Sequence, residues 1–327
     1  MRKRFVGILR HFLPAVKIRA RLSELAGFSA DHAVRCCGFG VRPKASVLKM
    51  REGEKMMKIT VVQPPYFAGD TPDAKIADFL LCELEKAEKD SLIVLPEYSN
   101  AGGISDAERE RRAMPRAKEM LQKASEVART RACYVAINVL EMRDGKPRNS
   151  TYLFDRGGRV AFIYDKIHLP PSEVSFGVAY GGGACTCELD GIRFGFLTCY
   201  DVYFNEQIEY LASQRCDVIL IPGYQRGEDA DIIRAQTRMI AFRCNAFVAK
   251  SSYSMNDPSR GGCSMIVSPR GDILADLGME VGSVSATVVP TEKHMRTAGF
   301  GGKMIRNDDF INDGLRPEVF EALARAK

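Results

Sequence analysis

Residues 192–221, IRFGFLTCYDVYFNEQIEYLASQRCDVILI, contain the signals of a strand, a helix and a second strand in succession. The apolar run at 192–198 predicts a buried strand, and this strand leads directly into Cys199. Apolar residues at helical spacing predict a helix over 205–215, and a second apolar run predicts a strand at 217–221. Strand–helix–strand units are typical of α/β proteins, so this stretch indicates the fold class.

The same alternation continues on both sides of this unit. Further strands are predicted at 57–63, 91–95, 134–140, 150–155, 160–164, 246–251, 263–268 and 273–275. Further helices are predicted at 74–89, 108–131 and 231–244. Glycine-containing turns at 156–158 and 269–272 predict hairpins. Mixed strand–helix units with interspersed hairpins indicate one layered α/β domain over 56–327, with a C-terminal tail from about residue 291.

Residues 1–55 differ in composition from the rest of the chain. Basic residues are interspersed there with short apolar patches: Arg2, Lys3, Arg4, Arg10, Lys17, Arg19 and Arg21. Arg10 and His11 interrupt the apolar stretch that a signal peptide would need. Met56 and Met57 directly precede the first predicted strand. We expect a basic N-terminal extension that is poorly ordered or precedes the true start; an amphipathic helix on a membrane or partner surface is the alternative.

Composition excludes several functional classes. The chain has 327 residues, 46% of them hydrophobic and 27% charged, which is ordinary for a globular protein. The net charge of +6 arises mainly in the N-terminal extension, so nucleic-acid binding is not predicted. No apolar stretch is long enough for a membrane span. The ten cysteines are scattered, without paired zinc-site spacing, which favours a reducing cytoplasm and predicts no metal and no cofactor.

Three polar residues follow apolar strands: Glu97 after LIVLP, Lys166 after AFIYD and Cys199 after IRFGFLT. Taken singly, each has an ordinary structural explanation as a cap, a surface charge or a packed thiol. Together they supply a nucleophile, a carboxylate base and a cation, and strand ends in α/β folds are where catalytic groups collect. Among four histidines, only His168 is a serious alternative partner for Cys199. The residues therefore leave two sites open, a Glu–Lys–Cys set and a Cys–His pair.

The three sequence motifs resemble those of the nitrilase superfamily of carbon–nitrogen hydrolases. LPEY at 95–98 is similar to the first motif of that superfamily, YDKIHL at 164–169 with Glu173 to the second, and GFLTCYD at 195–201 with Glu206 to the third. Late segments at 262–266 and 269–271 are also similar, and the resemblance covers about residues 57–290. It departs at Tyr203-Phe204-Asn205, where Arg-Phe-Pro is usual, and at Cys244-Asn245, where Glu-Asn is usual. Residues 299–316 match nothing in the superfamily pattern.

The resemblance implies a four-layer αββα sandwich, often doubled across a homodimer interface. It implies a cysteine-dependent hydrolase of amide or carbamoyl groups of small molecules, without a cofactor. Carried over to this sequence, Cys199 is the nucleophile, Glu97 the base, Lys166 the stabilising cation, and Glu173 a positioning group. The backbone N–H of Tyr200 would complete the oxyanion hole. Further candidates for substrate binding are aromatic and polar residues near strand ends: Tyr98, Tyr203, Asn205, Tyr224, Gln225 and Tyr253.

Two other functions use the same sequence features. An acyltransferase would pass the acyl group of the thioester to an amine or hydroxyl, although the membrane-bound members that do so carry several spans. A catalytically silent binding module would keep the fold without the reaction, and an intact Glu–Lys–Cys set argues against it. Rapid alkylation of Cys199 relative to the other cysteines would favour either enzyme over the binding module.

Overall fold

The structure, a computed structural model, describes residues 55–66, 72–102, 107–257 and 259–325. Except for Lys55, the predicted extension at 1–55 lies outside the described residues. The strands are β1 (Met57–Gln63), β2 (Leu92–Val94), β3 (Tyr134–Arg143), β4 (Lys146–Phe154), β5 (Val160–Asp165), β6 (Thr186–Leu189), β7 (Ile192–Phe196), β8 (Val218–Pro222), β9 (Phe247–Ser251), β10 (Met265–Val267), β11 (Ile273–Asp276), β12 (Gly282–Val288), β13 (Met295–Thr297) and β14 (Met304–Arg306). The helices are α1 (Pro72–Leu84), α2 (Ala107–Arg131), α3 (Pro171–Phe176), α4 (Asn205–Ser213), α5 (Ala230–Cys244), α6 (Asn307–Asn312) and α7 (Pro317–Arg325).

Two six-stranded sheets form the centre of the fold. The first has the spatial order β12–β1–β2–β3–β4–β5, and the second has the order β11–β10–β9–β8–β7–β6. In the first sheet β1, β2 and β3 are parallel, and in the second β7, β8 and β9 are parallel. The carboxyl ends of parallel strands meet at one edge of each sheet, which is where the residues that follow them collect.

A core between the sheets and a core outside the first sheet define the layers. The inner core joins residues of both sheets, for example Ile59 and Val94 with Phe196 and Ile219. The outer core packs α1 and α2 against the opposite face of the first sheet. Helices α4 and α5 contact each other, and Ile233 and Ile240 of α5 are buried in the same apolar cluster as the strands of the second sheet. The predicted four-layer αββα sandwich is confirmed.

The sequence did not predict α3, β6 and β12, nor the elements after residue 290, which are β13, β14, α6 and α7. In β12, small hydroxyl residues alternate with Val and Ala, which is only a weak strand signal. The strand forms because it pairs antiparallel with all seven residues of β1. The pairing contributes the hydrogen bonds that the local sequence does not specify.

The segment at 299–316, which matched no superfamily motif, includes β14 and α6. Asn307 and Asp308 at the start of α6 are completely buried. Asp308 Oδ1 accepts a hydrogen bond of 2.7 Å from Asn245, the left-handed residue that ends α5. Asn307 donates to the backbone oxygen of Phe242 at 2.8 Å. This part of the segment is therefore fixed against the end of α5.

No helix in the described part of the chain is long and apolar enough to cross a membrane.

Candidate active site

Glu97, Lys166 and Cys199 converge where the ends of the two sheets meet. Glu97 follows β2 and Lys166 follows β5, both in the first sheet, whereas Cys199 follows β7 in the second. Lys166 Nζ lies 2.7 Å from Glu97 Oε1, and each residue is only 1% exposed. Cys199 retains partial exposure to solvent. A partly exposed cysteine thus lies beside a buried ion pair, an arrangement suited to chemistry at the sulfur.

Glu173, the first-turn acid of α3, provides a second carboxylate for the lysine. Its Oε2 lies 2.9 Å from Lys166 Nζ, and Tyr98 donates its hydroxyl proton to Oε1. Burial by itself lowers the pKa of Lys166, but the charges of Glu97, of the Cys199 thiolate and of Glu173 outweigh it and raise the pKa. Lys166 therefore keeps its positive charge throughout the range in which enzymes normally operate.

Asn149 on β4 connects the two carboxylates, and sequence reasoning did not select it. Its Nδ2 donates to Glu97 Oε1 at 2.8 Å and to Glu173 Oε1 at 2.7 Å. Its Oδ1 accepts a hydrogen bond of 2.7 Å from Nδ2 of Asn138 on β3. Asn138 Oδ1 in turn accepts a hydrogen bond of 2.8 Å from the backbone N–H of Tyr98. Asn138 has a visible signal, because it lies inside the otherwise apolar run YVAINVL and asparagine is depleted in strands, whereas Asn149 has no such signal of its own.

The backbone at Cys199 is in an uncommon conformation. Cys199 has φ 45°, in the left-handed region, and begins a 3₁₀ turn, Cys199–Tyr203. Thr198 caps this turn, and its backbone N–H donates to Asp201 Oδ2 at 2.8 Å. The same Oδ2 also accepts a hydrogen bond from the Tyr164 hydroxyl at 2.7 Å. A left-handed non-glycine residue at a strand end must be stabilised by its surroundings, and such residues cluster at active sites.

The environment of Cys199 favours the neutral thiol. Burial raises its pKa, and the neighbouring Glu97 carboxylate raises it further. Lys166 and the backbone N–H of Tyr224 act in the opposite direction without overcoming that increase. Because a thiol is a weak nucleophile, a base must remove the proton as the sulfur attacks, and Glu97 is in position to do so.

His168 contacts a different set of groups. Its Nδ1 and its backbone N–H both lie 2.9 Å from Asp201 Oδ1, and its ring stacks on Phe204 with centroids 3.7 Å apart. Strand β5 ends at Asp165, so Lys166 and His168 both lie beyond it. Within the described residues, the side-chain contacts of His168 are with Asp201, Glu206 and Phe204 rather than with Cys199.

Three of the four predicted substrate-binding tyrosines, Tyr98, Tyr224 and Tyr253, form an aromatic cluster beside Glu97. The ring of Tyr224 lies 6.3 Å from that of Tyr98 and 4.7 Å from that of Tyr253. The Tyr253 hydroxyl donates to the backbone oxygen of Glu97 at 2.7 Å. Tyr66, which sequence reasoning missed, lies 6.0 Å from Tyr224. These rings form an aromatic wall next to the carboxylate.

The remaining candidates lie on the side of the second sheet. Gln225 is 6% exposed, and its Nε2 donates to the hydroxyl of Tyr203 at 3.3 Å. Tyr203 is 43% exposed and donates to Glu228. Asn205 is exposed as the first residue of α4. Binding of substrate by these side chains stays a prediction.

Within the described ranges, no three His, Cys, Asp or Glu side chains are grouped so that they could hold a metal ion.

Fold and site together define a layered α/β hydrolase with a strand-end cysteine beside a buried Glu–Lys pair. The chain belongs to the carbon–nitrogen hydrolase family, whose sequence model matches residues 58–292.

Named relatives agree with this assignment. An (R)-stereoselective amidase of a Pseudomonas species is 28% identical over 68% of this chain and 82% of the relative. The 2-oxoglutaramate amidase of Bacillus subtilis is 27% identical over 47% of this chain and 61% of the relative. Among solved structures, an amidase of Nesterenkonia from the nitrilase superfamily superposes with TM-score 0.63 at 17% identity, covering 84% of this chain and 99% of its own. At that identity the structural match shows the fold.

Replacing Asn149 with alanine tests the bridge between the carboxylates. Without its amide, Glu97 and Glu173 each lose a buried donor, so the free energy of unfolding should fall by about 1–3 kcal/mol. Because Glu97 is no longer held in place, kcat should also fall by about 10²-fold. Urea unfolding and steady-state kinetics measure the two effects.

Asn307→Ala is the matched control, since Asn307 is also an entirely buried asparagine with a backbone partner but contacts the end of α5. It should lose stability and keep kcat. If both variants lowered kcat equally, Asn149 would matter only for folding.

Proposed function

We propose that this enzyme hydrolyses the amide bond of a small molecule through a thioester on Cys199. The observation that carries the proposal is the buried ammonium of Lys166 between Glu97, at 2.7 Å, and Glu173, at 2.9 Å, beside a cysteine with a left-handed backbone. This set contains a nucleophile, a base and a fixed positive charge without histidine. The amidase names of relatives support an amide rather than a nitrile as substrate.

In the first half-reaction Glu97 accepts the proton of the Cys199 thiol while the sulfur attacks the amide carbon. Lys166 and the backbone N–H of Tyr200 stabilise the negative charge that develops on the carbonyl oxygen, a contribution of about 10²–10³ in rate for each donor. The carbon–nitrogen bond then breaks, and the nitrogen leaves as ammonia or an amine with the proton that Glu97 held. An acyl thioester remains on Cys199.

In the second half-reaction a water molecule replaces the departed amine. Glu97 accepts a proton from water as its oxygen attacks the thioester carbon. The carbon–sulfur bond breaks, the carboxylic acid is released, and the proton returns to the Cys199 sulfur. Glu173 does not exchange protons in this scheme; with Asn149 it holds Lys166 and Glu97 in place.

Ammonia release from a panel of small aliphatic amides, ω-amides of dicarboxylic acids, carbamoyl amines and nitriles tests the proposal. We expect turnover of at least one amide or carbamoyl compound and a covalent mass increase on the Cys199 peptide when the reaction is quenched with acid. Nitrile turnover alone would contradict the proposal. Turnover that requires added hydroxylamine or a primary amine as acceptor would instead identify the acyltransferase, and inertness towards all compounds would favour the binding module.

The homodimer and the cytoplasmic location are further proposals, which rest on the superfamily resemblance and on the scattered cysteines. Light scattering coupled to size-exclusion chromatography tests the first, and fractionation of cells expressing the full chain tests the second.

A further inference from the structure

Lys250 is a second buried lysine near Cys199, and the reaction proposed above does not use it. It lies on β9 with 1% exposure, and its Nζ donates to Gln225 Oε1 at 2.7 Å. None of the ion pairs found in the described ranges includes Lys250, whereas Lys166 has two carboxylate partners. A buried lysine held by a single amide is unfavourable, so its presence calls for a reason in the surrounding structure.

The loop after β8 passes directly over the ammonium of Lys250. A Cβ atom at Gly223 would lie 2.8 Å from Lys250 Nζ, so only glycine allows this approach without displacement. The N–H of Gly223 donates to the backbone oxygen of Ser251 at 2.7 Å, next to Lys250 on β9. Lys250 therefore contacts this loop at two points. Its ammonium group packs closely against Gly223, and it donates a hydrogen bond to Gln225.

Tyr224, between Gly223 and Gln225, connects this loop to the nucleophile. Its backbone N–H lowers the pKa of the Cys199 thiol and so favours the thiolate. Gln225 continues the connection, because its Nε2 lies 3.3 Å both from the Tyr203 hydroxyl and from Gln236 Oε1 on α5. Burial lowers the pKa of Lys250, and the negative forms of Cys199, Cys263 and Glu97 act against that decrease, which places the lysine within electrostatic range of the reacting groups.

We propose that Lys250 is a positioning residue that holds the loop 223–225 so that the Tyr224 N–H faces the sulfur of Cys199. Lys250 touches neither the sulfur nor the substrate in this role, and it acts through Gln225 and the backbone at Gly223. The inference rests on the proposed function, in which Cys199 is the nucleophile. The two buried lysines then have different roles, since Lys166 stabilises charge on the substrate and Lys250 fixes the loop that stabilises charge on sulfur.

Lys250→Met keeps the length of the side chain and removes its donor and charge. We expect kcat to fall by about 10²-fold, as for a misplaced catalytic group, with a smaller change in KM. We also expect alkylation of Cys199 by iodoacetamide, followed by mass spectrometry of its peptide, to shift to higher pH, since the Tyr224 N–H no longer faces the thiolate. The other groups that influence this thiolate stay in place: Glu97, Lys166, Tyr203 and Arg226.

Gln225→Leu removes the partner of Lys250 from a loop rather than from the core, so it remains informative if Lys250→Met folds poorly. The two single variants should shift the alkylation profile in the same direction. The double variant should be no worse than the more affected single variant, because both changes break one connection.

Lys293→Met is the matched control, because the Lys293 side chain is only 9% exposed but pairs with Asp217 at 2.8 Å. It should lose stability and leave the alkylation profile of Cys199 and kcat unchanged. If Lys250→Met behaves like this control, or if Lys250→Met and Gln225→Leu have additive effects, the proposal is overturned. Alkylation needs no substrate, so this outcome is distinguishable from failure of the proposed function, which Cys199→Ala turnover would reveal.

Discussion

Replacement of Cys199 by alanine should abolish amide hydrolysis while the protein stays folded. The substitution removes the sulfur on which the proposed thioester forms, and loss of a nucleophile typically costs about 10⁴–10⁶ in kcat. Cys199 occupies the left-handed region at φ 45°, and alanine carries the same Cβ there, so the backbone strain is the same in both proteins. Ammonia release measures the effect, and circular dichroism with thermal unfolding verifies the fold.

Cys263→Ala is the control that the chain itself offers. Cys263 is completely buried and also has a left-handed backbone, with φ 55°. Its replacement should cost some stability through lost packing and leave kcat near that of the parent. The assignment of the nucleophile would be wrong if Cys199→Ala kept turnover within tenfold of the parent protein.

Removal of the charge on Lys166 is expected to produce the second largest effect. Lys166→Met should lower kcat by at least about 10²-fold, because a buried cation no longer stabilises the oxyanion. It should also destabilise the protein by about 3–5 kcal/mol, because Glu97 and Glu173 stay buried without their counterion. Steady-state kinetics and urea unfolding separate the two consequences.

A double variant distinguishes lost chemistry from lost stability. Lys166→Met combined with Glu173→Gln removes one of the uncompensated carboxylates, so it should recover part of the stability and none of the turnover. His168→Ala removes contacts with Asp201, Glu206 and Phe204 and none with Cys199, so its kcat should change far less. An inactive His168→Ala together with a normally active Lys166→Ala would show that the enzyme uses a Cys–His pair.

The sequence allowed the main strands and helices to be predicted to within a few residues. The predicted strands at 57–63 and 134–140 correspond to β1 and β3, and the predicted helix at 231–244 corresponds to α5. These elements have strong apolar periodicity, which local interactions and burial reinforce. The short α3 lacks enough residues to show any period, yet it carries Glu173; the superfamily resemblance alone suggested that glutamate.

Asn149 and Lys250 could not be predicted, because neither has a local signal of its role. Asn149 lies within β4, and its partners Glu97 and Glu173 are 52 and 24 residues away along the chain. Lys250 follows the apolar run FVA, where a lysine suggests an exposed strand position rather than a buried one. Only the pairing of β3 with β4 and of β8 with β9 brings these residues to the carboxylates and to the loop after β8.

The sequence by itself determined the α/β class, the strand ends that carry Glu97, Lys166 and Cys199, and the resemblance to the nitrilase superfamily. These properties are encoded locally, in apolar periodicity and in short motifs. The tertiary structure decided which charges meet: Lys166 with both carboxylates, and His168 with Asp201. The physical reason is that burial and distance set the energy of a charge, and both arise only when two sheets bring distant strand ends together.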